Sequence, residues 1–269
     1  MSKLILMGTN AFVVPIFESL RAHHDILSVY TRAPKPMGRK QVITPSPVHT
    51  WANEHNIPVH NSIREFENQG ADFVVVISYG VILPDNVLAS GNFINIHPSS
   101  LPKYRGPSPI RSAIKNGDSK SAVCIMKIAH ELDAGDIYMR REFDIDINDT
   151  NETVENKVSV IAADMLSEFL ATPEKYNAVP QSGAPIITHK FSGADEIIDW
   201  TKPAIEIHNT VRALGCGRTK INGMDVKILK TKIENGNLEI LQIQPAGKKP
   251  MDWKSFVNGL HGADIKYGE

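Results

Sequence analysis

Short apolar runs that alternate with helical patterns constrain the fold of this chain more than any other feature. The run Phe73–Ile77 is β-branched and fully apolar, and residues 4–7, 26–30 and Phe93–His97 form similar short runs. Between the first two runs, residues 12–20 place apolar side chains at helical spacing. Buried strands that alternate with helices are typical of a parallel sheet. We therefore predict an α/β fold with a Rossmann-like, mostly parallel sheet.

The second half of the chain changes character after a long helical pattern. Residues 123–129 and 137–143 are predicted to form a strand pair, and residues 153–169 a long helix. Residues 172–195 are rich in Pro, Gly and Ala, which is typical of a linker. We therefore predict a large domain over residues 1–180, a linker over 181–203 and a small domain over 204–269.

The small domain carries two turn motifs typical of hairpins. Asn222-Gly223 precedes an alternating apolar pattern over 226–230, and Asn235-Gly236 precedes a second such pattern over 238–241. A helix is predicted over Ala204–Leu214. The C-terminal domain is therefore expected to be small and rich in β-strands.

Charge and cysteine content exclude few function classes but indicate a compartment. The net charge is -1 over 269 residues, so the whole chain has no strong attraction to nucleic acid. Two cysteines without motif spacing favour a reducing compartment, and neither a signal peptide nor an 18-residue apolar run is present. We expect a cytoplasmic protein that does not enter a membrane, and we expect it to be a monomer.

A polar motif follows the run Phe93–His97. Asn95 and His97 are two residues apart, so a strand presents both side chains on one side. Pro98 ends the strand, and the carboxyl edge of a parallel sheet is where such folds bind ligands. The acidic turn 131–136 contains Asp133 and Asp136, either of which is a candidate for the carboxylate beside this pair.

These residues resemble the motifs of the formyltransferase family that uses 10-formyltetrahydrofolate. The matching patterns are Asn-x-His, Ser-x-Leu-Pro-x-Tyr-Arg-Gly-Pro and Leu-Asp-x-Gly-Asp, which lie at residues 95–97, 99–107 and 132–136. Residues 34–39, 79–84 and 241–251 resemble the branch of the family that formylates methionyl-initiator tRNA in translation initiation. The resemblance implies a formyltransferase catalytic domain and a truncated OB-like C-terminal domain.

The resemblance also assigns roles to individual residues. It implies that Asn95, His97 and Asp133 are catalytic, and that charged initiator tRNA is contacted by Arg39, Lys35 and Lys40. It places the folate co-substrate against a set of residues on two loops: Ser78, Tyr79, Gly80, Ile82, Leu83, Pro84, Ser99, Leu101 and Pro102. No metal is implied, and the remaining histidines lack zinc-ligand spacing.

Formyl transfer is an acyl transfer, which explains why these residue types suit it. An amine attacks the formyl carbon, so the protein needs donors near the developing oxyanion and a group that manages a proton. Asn95 and His97 supply donors. Asp133 either orients the ring of His97 or accepts the proton itself, and both possibilities stay open.

The chain departs from the family pattern at three places, and the shortening of the C-terminal domain bears on the substrate. The gap at residues 234–237 and the stretch 215–218 shorten the C-terminal domain, and Asn10 stands in the first turn, where it is predicted to cap the next helix. The shortened domain favours the alternative that the acceptor is a small amine such as an amino sugar, whereas the loop around Arg39 favours tRNA. Arg105 is interpreted as a structural ion-pair partner rather than a substrate contact.

Overall fold

The computed structural model describes residues 1–38 and 40–268. The chain forms two compact units, which are discontinuous in sequence. The first unit contains residues 1–106, 122–142 and 155–186, and the second contains residues 107–121, 143–154 and 187–269. The predicted domain boundaries at 180 and 204 stay a prediction.

The described parts of the chain contain thirteen strands and seven α-helices. The strands are β1 Lys3–Gly8, β2 Asp25–Tyr30, β3 Lys35–Met37, β4 Val42–Thr44, β5 Val59–His60, β6 Phe73–Ile77, β7 Phe93–His97, β8 Lys120–Lys127, β9 Ile137–Asp144, β10 Gly217–Ile221, β11 Met224–Glu234, β12 Asn237–Pro245 and β13 Met251–Asp252. The helices are α1 Val14–Arg21, α2 Pro47–Glu54, α3 Asp85–Leu88, α4 Pro109–Lys115, α5 Asn151–Ala171, α6 Ala204–Leu214 and α7 Trp253–Asn258.

A seven-stranded sheet carries the predicted Rossmann-like core. Its strand order is β5-β2-β1-β6-β7-β8-β9. The pairings of β1 with β2 and β6, of β2 with β5 and of β6 with β7 are parallel, whereas β7 pairs antiparallel with β8. Ile5 and Met7 are buried on one face of β1 and Leu4 and Leu6 on the other, which explains why residues 4–7 are apolar without interruption. The prediction of a mostly parallel sheet is confirmed.

Two local predictions in the first unit are wrong. The segment around Arg39 is predicted to be a loop, but residues 35–37 and 42–44 within it form the antiparallel hairpin of β3 and β4. Asn10 stands at the N-terminal cap position of the short 3-10 helix 11–13, but its side chain makes no capping hydrogen bond, and its Nδ2 atom donates to Ser78 Oγ at 2.7 Å. This contact joins the first turn to the loop that follows β6.

The second unit contains the predicted β-rich part. Strands β10, β11, β12 and β13 form an antiparallel sheet in that order. Asn222-Gly223 and Asn235-Gly236 are two-residue turns in which all four residues have φ between 49° and 81°. Turns of this kind match the twist of the flanking strands, and Asn and Gly tolerate the left-handed backbone that they require. The expectation of a small β-rich C-terminal part is confirmed.

A buried histidine fixes the segment before α5 within the second unit. His208 on α6 is 1% exposed, and its Nε2 atom lies 2.9 Å from the carbonyl of Ile147. Because a carbonyl only accepts, Nε2 carries the proton, and Nδ1 then accepts from the hydroxyl of Thr231 at 2.8 Å. Burial lowers the pKa of His208, and the charge of nearby Arg212 lowers it further, so the folded protein favours the neutral ring.

We expect this ring to make folding less stable in acid. The unfolded chain protonates His208 near the ordinary value of about 6.5, whereas the folded chain protonates it only at lower pH. The unfolded state therefore binds more protons in that interval, and the free energy of unfolding falls as the pH drops below about 6.5. In urea unfolding at pH 7.5 and 5.5, His208→Gln should show a smaller loss of stability on acidification than wild type. The exposed His130→Gln serves as control, and an equal loss in wild type and His208→Gln would contradict the assignment.

In the described ranges no helix combines the length and the apolar composition that crossing a bilayer requires.

Candidate active site

The end of β7 positions two of the predicted catalytic residues. Asn95 and His97 lie on this strand, where they pair with Met126 and Cys124 of β8. His97 is 4% exposed and Asn95 is half-buried. The strand ends at His97, so the loop 98–106 starts with Pro98 directly after it.

The hydrogen bonding of His97 determines which ring nitrogen can exchange a proton. Its Nε2 atom lies 2.9 Å from the carbonyl oxygen of Tyr104, which only accepts, so Nε2 carries a proton in either charge state. The other nitrogen, Nδ1, lies 3.6 Å from Oδ2 of Asp133. Nδ1 is therefore the position at which His97 takes up or releases a proton.

Asp133 completes the predicted trio. It has the left-handed φ of 50°, which Asp tolerates better than most residues. Its Oδ2 accepts from the backbone N–H of Gly106 at 2.8 Å, and its Oδ1 lies 3.5 Å from Nδ2 of Asn95. The structure thus brings Asn95, His97 and Asp133 together around one carboxylate.

The turn that carries Asp133 approaches β8 very closely. A Cβ atom added at Gly135 would lie 2.0 Å from the carbonyl oxygen of Lys127. Beside it, Asp136 continues the pairing, since its carbonyl accepts from the N–H of Lys127 at 2.9 Å. Because Oδ2 of Asp133 lies 3.6 Å from Nδ1 of His97, Asp133 rather than Asp136 is the carboxylate beside the ring.

Arg105 acts within the loops around the trio. It is 8% exposed, and its Nη1 atom lies 3.1 Å from Oε1 of Glu131. This contact joins the loop after β7 to the turn before Asp133, which agrees with its interpretation as a structural ion-pair partner.

The loop 78–84 is anchored by residues from two other strand ends. Thr9 Oγ1 donates to the carbonyl of Tyr79 at 3.0 Å, and the guanidinium of Arg32 donates to the carbonyl of Gly80. Within the loop, Tyr79 and Leu83 are buried, and burial raises the pKa of Tyr79. Ile82 is 86% exposed, so this loop presents an apolar side chain on an anchored backbone.

The other predicted folate contacts are less accessible. Ser99 and Leu101 are fully buried, and Ser99 Oγ donates to the carbonyl of Lys103 at 2.6 Å. Pro102 is half-buried. For Ser99 and Leu101 a contact with the co-substrate would have to come from the backbone, and the folate role of all three stays a prediction.

Lys35 and Lys40, two of the three predicted tRNA contacts, lie on the hairpin of β3 and β4. Lys35 and Lys40 are exposed, whereas Arg39 lies outside the described residues. The hairpin also exposes three large apolar side chains that the sequence did not single out: Met37, Val42 and Ile43.

Several residues that support the site were missed at the level of sequence. Thr9 and Arg32 hold the loop 78–84, and Gln181 contacts the turn of Asp133. An isolated glutamine after Pro180 has no distinguishing pattern in the sequence. Among residues 1–38 and 40–268, no three His, Cys, Asp or Glu side chains form a group able to hold a metal ion.

Comparison with known proteins identifies relatives over almost the whole chain. A family model described as formyl transferase matches residues 2–170, and one described as formyl transferase, C-terminal domain, matches residues 190–237. The methionyl-tRNA formyltransferase of Cereibacter sphaeroides is 34% identical, with 96% of each chain covered. That of Fusobacterium nucleatum is 32% identical, with 99% of each chain covered.

Solved structures show the same fold at lower identity. A methionyl-tRNA formyltransferase from Clostridium thermocellum has a TM-score of 0.67 at 14% identity, covering 91% of this chain and 99% of its own. An N-formyltransferase from Helicobacter canadensis, in complex with folinic acid and dTDP-3-aminofucose, has a TM-score of 0.68 at 21% identity, covering 87% of this chain and 89% of its own.

Proposed function

This chain belongs to the formyltransferase family, and we propose that it transfers the formyl group of 10-formyltetrahydrofolate to the amino group of methionyl-initiator tRNA. The observation that carries this proposal is the convergence of Asn95, His97 and Asp133 at the end of β7. Relatives of 32–34% identity over nearly their full length are methionyl-tRNA formyltransferases, which supports the choice of acceptor.

The loop 78–84 suits a folate co-substrate. Its backbone is held by Thr9 and Arg32, so carbonyl and N–H groups are fixed for recognition of a polar ring edge. The exposed side chain of Ile82 offers an apolar surface for the flat face of the ring. When bound, the co-substrate supplies the formyl group.

The trio divides the remaining work between a donor and a proton acceptor. Nδ2 of Asn95 donates to the oxygen on which negative charge builds during acyl transfer. Nδ1 of His97 faces the carboxylate of Asp133, so a proton released by the attacking amine moves to this pair. The same proton is then delivered to N10 of the folate as the bond between N10 and the formyl carbon breaks, which leaves tetrahydrofolate and the formylated amine. The hydrogen bond from Nε2 to the carbonyl of Tyr104 keeps the ring oriented while Nδ1 changes its protonation.

A small amine is the weaker alternative for the acceptor. The sugar N-formyltransferases among the solved structures are 18–22% identical to this chain and share its fold, whereas the relatives above 30% identity over nearly their full length are methionyl-tRNA formyltransferases. In the proposed function the protein acts as a monomer in the cytoplasm, where charged initiator tRNA is used, and the hairpin of β3 and β4 contacts the tRNA through Lys35, Arg39 and Lys40.

The role of the hairpin in tRNA binding is tested by salt dependence. Each phosphate contact releases counterions, so formylation at low tRNA concentration should slow as salt rises. A charge-assisted hydrogen bond contributes about 1.5–3 kcal/mol, so Arg39→Ala should lower kcat/KM for charged tRNA by about 10- to 100-fold and reduce the salt slope. The exposed Arg64→Ala is the matched control. Equal rates for wild type and Arg39→Ala, without salt dependence, would reject this role and favour the small amine.

A further inference from the structure

The side chain of Gln181 joins the two loops that carry the catalytic trio. Its Nε2 atom donates to the carbonyl of Asp133 at 2.8 Å and to that of Gly135 at 2.9 Å. Its Oε1 atom accepts from Nε and Nη2 of Arg105 at 3.1 and 2.9 Å. One amide group therefore makes four hydrogen bonds across two loops.

The chemistry of its partners fixes the orientation of this amide. Two carbonyl oxygens require donors, and two guanidinium N–H groups require an acceptor, so the amide fits in one orientation only. Both hydrogens of Nε2 and both lone pairs of Oε1 are used. A side chain saturated in this way is held in one rotamer and holds its partners in turn.

These partners are direct neighbours of the groups that act in the proposed reaction. Asp133 itself is bound through its carbonyl, and it keeps a left-handed φ of 50° that needs support from its surroundings. Arg105 lies between Tyr104, whose carbonyl orients His97, and Gly106, whose N–H binds the carboxylate of Asp133. Gln181 therefore contacts Asp133 directly, and it is linked to His97 through Arg105 and the neighbouring Tyr104.

We propose that Gln181 is a positioning residue for formyl transfer, which acts by holding the carboxylate of Asp133 against Nδ1 of His97. It lies at the start of the segment predicted as a linker, so this segment contributes to the catalytic site. The proposal rests on the proposed function only for its kinetic readout. Its physical content is the placement of the turn 131–136.

The kinetic test is a double-mutant cycle. A displacement of about 1 Å at a reacting group costs up to about 100-fold, so Gln181→Met should lower kcat by about 10- to 100-fold with little change in KM for either substrate. In the Asp133→Ala background the same change should have almost no further effect, because the group that Gln181 positions is already absent. A purely structural role predicts instead a lower melting temperature and effects that multiply.

Two further variants make the cycle decisive. Gln181→Glu keeps the acceptor for Arg105 but lacks the two donors to the turn, so it should lose kcat even if Gln181→Met folds poorly. The exposed Gln69→Met controls for the substitution itself. Unchanged kcat in Gln181→Glu, or multiplicative effects with Asp133→Ala, would overturn the proposal.

A readout without activity separates this proposal from the proposed function. The N–H of Gly106 is bonded to Asp133, so its hydrogen exchange should become about 10-fold faster in Gln181→Met if the carboxylate moves. If wild type fails to formylate charged tRNA but this exchange still rises, the proposed function fails and the positioning role stands. Unchanged exchange of Gly106 contradicts the positioning role whatever the activity.

Discussion

Alanine at Asn95, His97 or Asp133 is expected to lower kcat for formyl transfer by about 100-fold or more. In the proposed mechanism each change removes a group that acts at the transition state, and the loss of one such group typically costs this much. The effect should fall on kcat more than on KM, because the proposed mechanism places the trio at the reacting atoms rather than at the distant parts of either substrate.

The three variants should differ in stability in ways that the structure predicts. His97→Ala removes the buried hydrogen bond between the ring and the carbonyl of Tyr104, so its melting temperature should fall more than that of Asn95→Ala. Asp133→Asn is the conservative companion, since its side-chain oxygen can still accept from Gly106 while the charge facing Nδ1 is lost.

A histidine–aspartate pair of the second unit provides the control. His189 Nε2 lies 3.2 Å from Asp195, yet the histidine is exposed, so His189→Ala should leave kcat unchanged. Initial rates at saturating folate and charged tRNA measure the effects. Turnover like that of wild type in any trio variant would remove that residue from the mechanism.

Gly135→Ala is expected to be nearly as damaging, although the new methyl group touches no reacting atom. The added Cβ would lie 2.0 Å from the carbonyl of Lys127, whereas real Cβ atoms essentially never approach closer than 3.0 Å. One backbone must therefore move by about 1 Å, and Gly135 is two residues from Asp133. A shift of this size at the carboxylate should lower kcat by about 100-fold.

Gly193→Ala is the matched control for this substitution. A Cβ atom there would meet nothing closer than 3.7 Å, and its backbone is not left-handed, so the variant should keep both activity and melting temperature. Both variants would be compared by kcat and by thermal unfolding. Full activity in Gly135→Ala would show that the turn adapts without moving Asp133.

The central strands of the fold could be predicted because each of them is marked by a local run of apolar residues. Strand β6 coincides with its apolar run, since burial on both faces favours apolar residues throughout the strand. Strands β3 and β4 are three residues long and exposed, so no periodic pattern marks them. The six-residue helix α7 was missed because it is too short for a helical pattern to be distinctive.

The site was predictable only in part, for a different physical reason. The spacing of Asn95 and His97 follows from strand geometry, and a nearby acidic turn offered two carboxylates, between which the resemblance chose Asp133. The groups that fix their geometry are remote in sequence, since the bond between Gln181 and Asp133 spans 48 residues. Such contacts arise only when the chain folds, and neither the glutamine nor its position is unusual in the sequence.

The proposed acceptor and the role of Asp133 are tested most directly by measuring how fast the purified protein formylates two acceptors under identical conditions. Methionyl-initiator tRNA and an amino-sugar nucleotide would each be incubated with 10-formyltetrahydrofolate, and the formylated product quantified over time. We predict that wild type forms formylmethionyl-tRNA at a rate about 100-fold or more above the rate of Asp133→Ala, and that it forms no comparable product from the amino sugar. Formylation of the amino sugar but not of the charged tRNA, or equal rates for wild type and Asp133→Ala, would contradict it.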